Sequence, residues 1–192
     1  MTKLYDLCVA TRRYTDKEGN EKNAYENIGA ILETEESKTY MMLKAHFNPA
    51  GINRKEGSES IVVSMFQPQN TNADYASFCW STFKGRKLYD LCVATRKYTY
   101  NGQEKTMWAN IGAIISSDKH PFMMLKAHFN PAAITRKEGS ESILVNLFQP
   151  KSKQDNSGNN DYQNFDSSFA DDTASYQQDF NPEPFNPDDM PF

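Results

Sequence analysis

The chain has 192 residues, 38% of them hydrophobic, and a formal net charge of -4. No apolar run approaches the ~18 to 20 residues that cross a bilayer, and the first residues lack the charged and then apolar pattern of a signal peptide, so we expect a soluble intracellular protein without a membrane anchor. Three cysteines with no CxxC spacing exclude a disulfide framework and a zinc knuckle, and they predict Cys8 and Cys92 to be buried free thiols.

The net charge conceals a division along the chain. Residues 151–192 hold 2 basic and 9 acidic residues, a net of -7, whereas residues 1–150 hold 19 basic and 16 acidic residues, a net of +3. A mildly basic body with an acidic tail is typical of nucleic-acid binders whose tail serves another purpose.

A tandem duplication organises the body. KLYDLCVATR occurs at 3–12 and 87–96, MMLKAHFNPA at 41–50 and 123–132, and RKEGSES at 54–60 and 136–142. The blocks keep one order and nearly one spacing. Two copies are too few for a solenoid, so they predict two modules that pack as a pseudo-dimer or lie along one ligand.

Each copy predicts the same series of strands. The first strand lies in LYDLCVATRRYT, which is rich in β-branched and aromatic residues, and it leads into a turn at 16–20 that becomes Asn101-Gly102 in the second copy. We predict a second strand at about 25–32, a third at about 40–47 and a last one at about 61–66. No 3.6-residue apolar period persists in either copy, which excludes an amphipathic helix.

A module of this size with four or five strands favours a partly open Greek-key barrel of the oligonucleotide-binding (OB) type, with SH3-like barrels and small sandwiches as alternatives. We therefore predict an all-β protein with two tandem OB-fold-like small β-barrels, at 1–68 and 87–150, joined by a linker at 69–86. The linker contains Tyr75, Phe78, Trp80 and Phe83, which we expect to pack on a module. Residues 151–192 are rich in Asn, Gln and Ser and predict a disordered acidic tail.

Strand alternation separates two faces in each copy. In the third strand Met41 and Leu43 share the apolar face, which leaves Tyr40, Lys44 and His46 opposite. In the second strand Ile28, Ala30 and Leu32 are predicted to face inward, and Tyr25 and Asn27 outward. Aromatic, cationic and amide side chains thus recur together on the outer face of both copies.

Such a mixture suits sequence-independent binding of single-stranded DNA, because aromatic faces stack on bases and Lys and Arg contact phosphates. The candidate DNA-binding residues are Arg12, Arg13, Tyr14, Tyr25, Tyr40, Lys44, His46, Arg54 and Lys55 in the first copy, and Arg96, Lys97, Tyr98, Tyr100, Trp108, Phe122, Lys126, His128, Arg136 and Lys137 in the second. The first module carries 9 basic and 10 acidic residues and the second 8 and 5, so we expect the second to contribute more to affinity.

No catalytic or cofactor-binding pattern is found. His46 and His128 lack partners at metal-ligand spacing, and neither a phosphate-binding glycine loop nor a nucleophile with its base is present. We expect no enzymatic activity, no metal and no cofactor.

The chain ends in Asp188, Asp189, Met190, Pro191 and Phe192. This resembles the acidic tip of bacterial single-stranded DNA-binding proteins, a short acidic run followed by an apolar residue, Pro and a terminal Phe. The resemblance implies an OB barrel, a disordered tail and a tip that recruits replication, recombination and repair proteins in a bacterial cytoplasm. Phe192 and Pro191 would anchor the partner, and the two Asp would meet a basic rim.

The body departs from that family, whose chains carry one barrel and commonly form tetramers. A tandem pair suggests a phage or mobile-element version that acts in the cytoplasm of an infected host, with fewer chains in any homo-oligomer. Two other functions fit duplicated β modules: a protein-interaction adaptor with a merely acidic tail, and an RNA-binding regulator.

Overall fold

A computed structural model of the chain describes residues 1–36, 38–68, 85–117 and 120–150. The predictions for the linker aromatics and for the tail from residue 151, including its tip, lie outside the described residues.

The described residues are built from β-strands, with two short 3-10 turns, which confirms the all-β prediction for this part of the chain. The strands are β1 Thr2–Thr15, β2 Glu21–Glu33, β3 Thr39–Lys44, β4 Ser60–Phe66, β5 Lys87–Tyr100, β6 Gln103–Ile115, β7 Phe122–Lys126 and β8 Ser142–Phe148. The 3-10 turns lie at Pro49–Gly51 and Pro131–Ala133, where the side chain of the preceding Asn accepts a backbone hydrogen bond.

The two repeats share one closed barrel, in the order β1-β2-β3-β8-β5-β6-β7-β4, and do not form the two separate barrels that the sequence predicts. Within a repeat the four strands form a sheet in which the last strand lies beside the first. That sheet leaves the third and fourth strands as open edges with unpaired backbone groups. Each edge pairs with the other repeat, β3 with β8 and β4 with β7, so neither repeat closes without its copy.

One hydrophobic core fills this barrel and draws on both repeats. Met41 and Leu43 of β3 pack in the same cluster as Leu125 of β7 and Val145 of β8, and all four side chains are fully buried. Burial of apolar side chains at this seam stabilises the pairing between the repeats by roughly 1.5 to 3 kcal/mol for each large side chain.

A β-bulge places part of β2 on the opposite faces from those that the sequence predicts. The pairing of β1 with β2 shifts register between Leu7 and Cys8, so the strict alternation fails beyond this point. Ile31 enters the core, whereas Ala30 pairs with Met42 on the outer surface. The inward assignment of Ala30 and Leu32 is therefore wrong, because one extra residue moves the following side chains to the opposite face.

All eight seams of the barrel are antiparallel, so strands alternate in direction around it. The β1–β2 and β5–β6 hairpins and the loops from β3 to β4 and from β7 to β8 consequently lie at one end, which we call the arm end. The β2–β3 and β6–β7 turns, and the chain that follows β4 and β8, lie at the opposite end.

Different local interactions stabilise the turns of the two hairpins. In the second, Asn101 and Gly102 both have positive φ, 50° and 73°, which is the conformation of a type I′ turn and explains the Asn-Gly pair. In the first, the Asp16 carboxylate accepts hydrogen bonds from the backbone of Glu18 and Asn20. These bonds, that to Asn20 first, lower the pKa of Asp16 below its usual value.

Candidate nucleic-acid interface

Two β-ribbons project from the arm end of the barrel. β1 and β2 pair along their whole length, but β4 pairs with β1 only at 6–8, so the remainder of the hairpin extends beyond the sheet. The β5–β6 hairpin repeats this arrangement, since β8 pairs with β5 only at 90–92. We call residues 10–26 arm one and the equivalent residues 94–109 arm two. Both faces of such a ribbon are accessible to a ligand.

Arm two presents exposed aromatic and cationic side chains. Tyr98 is 39% exposed and Tyr100 is 56% exposed. The Lys105 ammonium lies 4.8 Å from the centre of the Tyr100 ring, a cation–π contact. Lys97 pairs with Glu104 at 2.6 Å on the surface, and Arg96 forms no ion pair with any described residue. The arm therefore offers ring faces for stacking and at least one uncompensated cation.

Arm one has a more balanced charge. Arg12 and Arg13 are exposed and make no ion pair within the described part of the chain, while Lys22 lies 3.4 Å from Asp16. Arm one holds four basic and four acidic residues, a net of zero, whereas arm two holds three basic and one acidic, a net of +2. Tyr14 is half-buried, so arm one also presents less aromatic surface.

An edge-to-face aromatic pair lies at the root of each arm. The Tyr25 and Phe66 ring centres are 5.3 Å apart at an interplanar angle of 85°, and those of Trp108 and Phe148 are 5.3 Å apart at 81°. This geometry contributes about 0.5 to 1.5 kcal/mol beyond the buried area. Tyr25 and Trp108 thus help to fix the arms on the barrel. Both remain partly accessible, and Phe148 is 39% exposed.

A network of hydrogen bonds lies beside the base of each arm and includes a lysine. In the first repeat the Asn27 side chain donates to Asp6 at 3.1 Å, and the Lys44 ammonium donates to the Asn27 carbonyl. Lys3 pairs with Asp6 at 3.0 Å. Lys44 is therefore positioned by the barrel, and its partly buried ammonium has a backbone partner.

Two buried thiols adjoin these networks. Burial, with the nearby Asp6 carboxylate as a smaller cause, raises the pKa of Cys8 to about 12. Burial and then Asp90 raise the pKa of Cys92 to about 11. Both thiols are free, as the sequence predicts, and they remain protonated at neutral pH.

The loops at the arm end are joined across the repeats. The Ala45 backbone donates to the Glu141 carbonyl at 2.8 Å, and the Ala127 backbone donates to the Glu59 carbonyl at 2.8 Å. Each exposed histidine, His46 or His128, therefore lies beside the RKEGSES loop of the other repeat. Each of these two contacts brings a histidine of one repeat beside a loop of the other, an arrangement that neither repeat forms alone.

The arginines of these loops also shape their own backbone. Arg54 donates from Nε to the Ser58 carbonyl at 3.0 Å, and Arg136 contacts the Ala132 carbonyl at 3.5 Å. The lysines that follow, Lys55 and Lys137, are exposed. Within each loop the lysine is thus the side chain that is more available to a ligand.

Most of the predicted DNA-binding residues lie at the arm end, although they are scattered along the sequence. They are Arg12, Arg13, Tyr14, Tyr25, Lys44, His46, Arg54, Lys55, Arg96, Lys97, Tyr98, Tyr100, Trp108, Lys126, His128, Arg136 and Lys137. Tyr40 and Phe122 lie toward the opposite end, since they are near the starts of β3 and β7. Phe122 is 3% exposed and offers no ring face to a base.

Sequence reasoning missed two side chains of arm two and two phenylalanines that pack against the arm roots. Met107 is 41% exposed on arm two, and Lys105 packs over Tyr100. Phe66 and Phe148 complete the aromatic pairs at the arm roots. Alternation in the last strand of each repeat would have placed both Phe residues outward, beside the first strand. The proposed partner-binding residues of the tip, from Asp188 to Phe192, lie outside the described residues.

Comparisons of the chain with protein-family models, with curated proteins and with solved structures give no match. Among the described ranges, no helix has the length and apolar composition to span a membrane. In the same ranges no three His, Cys, Asp or Glu side chains are grouped as metal ligands would be.

Proposed function

We propose that this protein binds single-stranded DNA without strong sequence preference, through the arm end of its barrel, and that it has no enzymatic activity. The observation that carries the proposal is the convergence at one end of two ribbons with aromatic and basic side chains and of two loops joined across the repeats. These elements lie far apart in the sequence, and the barrel brings them together.

The chemistry of the arms fits an unpaired strand. The exposed rings of Tyr98 and Tyr100 can stack on bases, at roughly 1 to 3 kcal/mol for each base, and every base offers such a face. Arg12, Arg13 and Arg96 can contact phosphates and release counterions. Neither interaction reads base edges, so we expect little sequence preference.

The shared barrel replaces the linker as the element that joins two binding units. A flexible linker between two OB modules would leave their separation variable, whereas here each arm begins on a strand of one closed sheet. A strand that is held by one arm meets the second at a fixed distance. The second contact is then intramolecular, with a high effective concentration.

The tail gives the second part of the proposal. β8 ends opposite the arm end, so the residues after Pro150 start away from the arms. We propose that Phe192 and Pro191 enter an apolar pocket of replication, recombination or repair proteins while Asp188 and Asp189 meet basic residues, as the resemblance to the bacterial tip implies. The protein would act in a bacterial or phage-infected cytoplasm.

Fluorescence anisotropy with labelled oligo-dT, a duplex of equal length and a matched RNA strand tests the proposal on the full chain. We expect preference for the unpaired DNA, an affinity that falls with salt, and quenching of tryptophan emission through Trp108. The Tyr98→Ala, Tyr100→Ala double variant should bind more weakly, and Lys38→Ala, exposed at the opposite end, should bind normally. Equal affinity for single-stranded and duplex DNA would refute the proposal, and a preference for RNA would favour the RNA-binding alternative.

A further inference from the structure

An apolar patch on the outside of the barrel, formed by β6 and β7 of the second repeat with β4 of the first, is largely buried. We call it outer face two: Val62, Ala113, Ile115, Phe122 and Met124. Ala113 pairs with Met124, and Met124 pairs with Val62, in a row across β6, β7 and β4. Met124 points away from the barrel core, since its neighbours Met123 and Leu125 point into it, yet it is 0% exposed.

The first repeat carries the equivalent patch, but its side chains are more exposed. Outer face one consists of Ala30, Leu32, Tyr40, Met42 and Leu144, where Ala30 pairs with Met42 and Met42 with Leu144. Leu144 is 51% exposed, and the other four side chains are half-buried. The two faces are equivalent in position and in chemistry, and they differ in how far their side chains are exposed.

Chain connectivity indicates the cover of outer face two. The chain leaves β4 after Phe66 and returns beside β6, where Gly85 and Arg86 exchange backbone hydrogen bonds with Ser116 at 3.0 and 2.9 Å. β7 lies between β4 and β6, so the two ends of the linker flank the strand that carries Met124. β4 and β6 are two strand spacings apart, a distance of about 10 Å. The 16 residues at 69–84, when extended, could span several times this distance. The linker is thus long enough to cover the face.

The linker has a second copy in the tail. Its aromatic part reads Asp74-Tyr75-Ala76-Ser77-Phe78 and ends in Ser81-Thr82-Phe83, while the tail reads Asp161-Tyr162-Gln163-Asn164-Phe165 and ends in Ser167-Ser168-Phe169. The order Asp-Tyr, Phe three residues later and a hydroxyl pair before a last Phe recurs with one residue deleted. The duplication therefore extends beyond the barrel strands.

The tail copy starts from the equivalent place. Gln67-Pro68 follows β4, and Gln149-Pro150 follows β8. β8 borders outer face one as β4 borders outer face two. The 12 residues from Pro150 to Tyr162 span up to about 40 Å when extended, so the segment can reach outer face one.

We propose that residues 161–169 of the tail dock on outer face one of their own chain, as the counterpart of linker residues 74–83 on outer face two. Tyr162, Phe165 and Phe169 supply the aromatic side chains that cover Met42 and Leu144. The tail is then held near the barrel to residue 169, and the 23 residues that follow carry the tip. The surface lies away from the arms, and the docking does not depend on DNA binding.

Paramagnetic relaxation in the full-length protein tests this docking. A nitroxide is attached at Ser167→Cys in a Cys79→Ser background, where Cys8 and Cys92 are buried and unreactive. We expect selective loss of the amide signals of Ala30, Met42 and Leu144. Phe165→Ala with Phe169→Ala should restore those signals, and the control pair Phe180→Ala with Phe185→Ala should not.

Two further samples test whether the tail docks on outer face one of the same chain. Leu144→Asp changes an exposed side chain, so the barrel should fold, and it should abolish the broadening. A mixture of labelled, nitroxide-free chains with unlabelled, nitroxide-bearing chains should show no broadening; signal loss there would mean that a second copy occupies the face and would overturn docking in the same chain. Broadening of the arms instead of outer face one, or none at all, would also overturn it.

Discussion

Leu43 of β3 lies directly opposite Ile143 of β8, and both side chains are fully buried. The pair joins two residues that are 100 positions apart, one in each repeat. The same relationship recurs at the other seam, where Val63 is opposite Met123. Because these seams close the barrel, the two repeats should fold as one cooperative unit.

The first prediction concerns a chain cut to residues 1–68. Its edge strands β3 and β4 would have no second repeat to pair with, and unpaired edges with apolar side chains associate. We expect a homodimer in which β3 of each copy pairs with β4 of the other, with twice the chain mass in light scattering after size exclusion. A folded monomer of this fragment would show that one repeat closes alone and would contradict the shared barrel.

The second prediction concerns Gly29 and Gly112. A Cβ at Gly29 would lie 2.2 Å from the Met42 carbonyl oxygen, and one at Gly112 would lie 2.2 Å from that of Met124. The obstacle is backbone in a paired strand, so it cannot rotate away, and either Gly→Ala change should lower the free energy of unfolding by about 1 to 3 kcal/mol or more. Urea denaturation measures the change.

Gly51→Ala is the matched control for these variants. Its nearest heavy atom would be the Asn48 side-chain nitrogen at 3.7 Å, an ordinary contact. We expect a change well below those at Gly29 and Gly112. Equal destabilisation at all three positions would mean that the close approach of β2 to β3, and of β6 to β7, is not the cause.

The sequence predicts the strands but not their partners. Strand positions follow from local composition and from turns such as Asn101-Gly102. Whether β3 pairs with β4 of its own repeat or with β8 of the other repeat depends on contacts that are distant in the sequence. Because the two repeats are nearly identical, their sequence patterns are compatible with both pairings. The bulge at Ile28 likewise depends on how β1 pairs with β2, which is why alternation alone assigns Ala30 to the wrong face.

The candidate site was predictable to a similar extent. The sequence identifies Arg96 and Tyr100 as candidates from their residue types, because they lie at the end of a predicted strand, just before a turn signal. Burial could not be predicted, because it depends on what lies over a side chain: Phe122 and Tyr40 are equivalent in sequence, yet only Phe122 is buried.

The third prediction uses the raised pKa values of the two buried thiols. Burial raises the pKa of Cys8 from 9.0 to about 12 and that of Cys92 to about 11, so the native thiols keep their protons where unfolded thiols lose them. The unfolded state then binds fewer protons, and stability falls as pH rises. This contribution is fully present below about pH 9 and is lost between pH 9 and the native values.

Denaturation of the Cys8→Ala, Cys92→Ala variant at pH 8 and pH 10.5 isolates this effect from other titrating groups. We expect the stability of the parent protein to fall more steeply between the two pH values than that of the variant. At pH 8 a thiol reagent should label neither cysteine in a folded Cys79→Ser protein. Rapid labelling of Cys8 would contradict its burial.

The fourth prediction separates the tail tip from the barrel. Deletion of Phe192 removes the aromatic anchor and moves the terminal carboxylate to Pro191, so capture of replication or repair proteins by the immobilised chain should be lost. Affinity for oligo-dT should not change, because the proposed DNA contacts lie on the arms and Phe192 is not among them. A Ser175→Ala change in the same tail is the control. Loss of both activities would mean that the tip also contributes to DNA binding.

The fifth prediction concerns the unequal charge of the arms. Arm two has a net charge of +2 and arm one has none, although both carry adjacent basic residues. In arm one the four acidic residues balance the four basic ones, which offsets the attraction of Arg12 and Arg13 for phosphates. We therefore expect Arg96→Ala with Lys97→Ala to weaken binding to oligo-dT more than Arg12→Ala with Arg13→Ala.

Salt titrations measure this difference directly. Each lost phosphate contact on a single strand lowers the slope of log K against log salt by about 0.7, so the arm two variant should lose up to about 1.4. Lys38→Ala, at the opposite end, should keep the parent slope. If the two double variants lost the same affinity and the same slope, local charge would not distinguish the arms, and the strand would contact both equally.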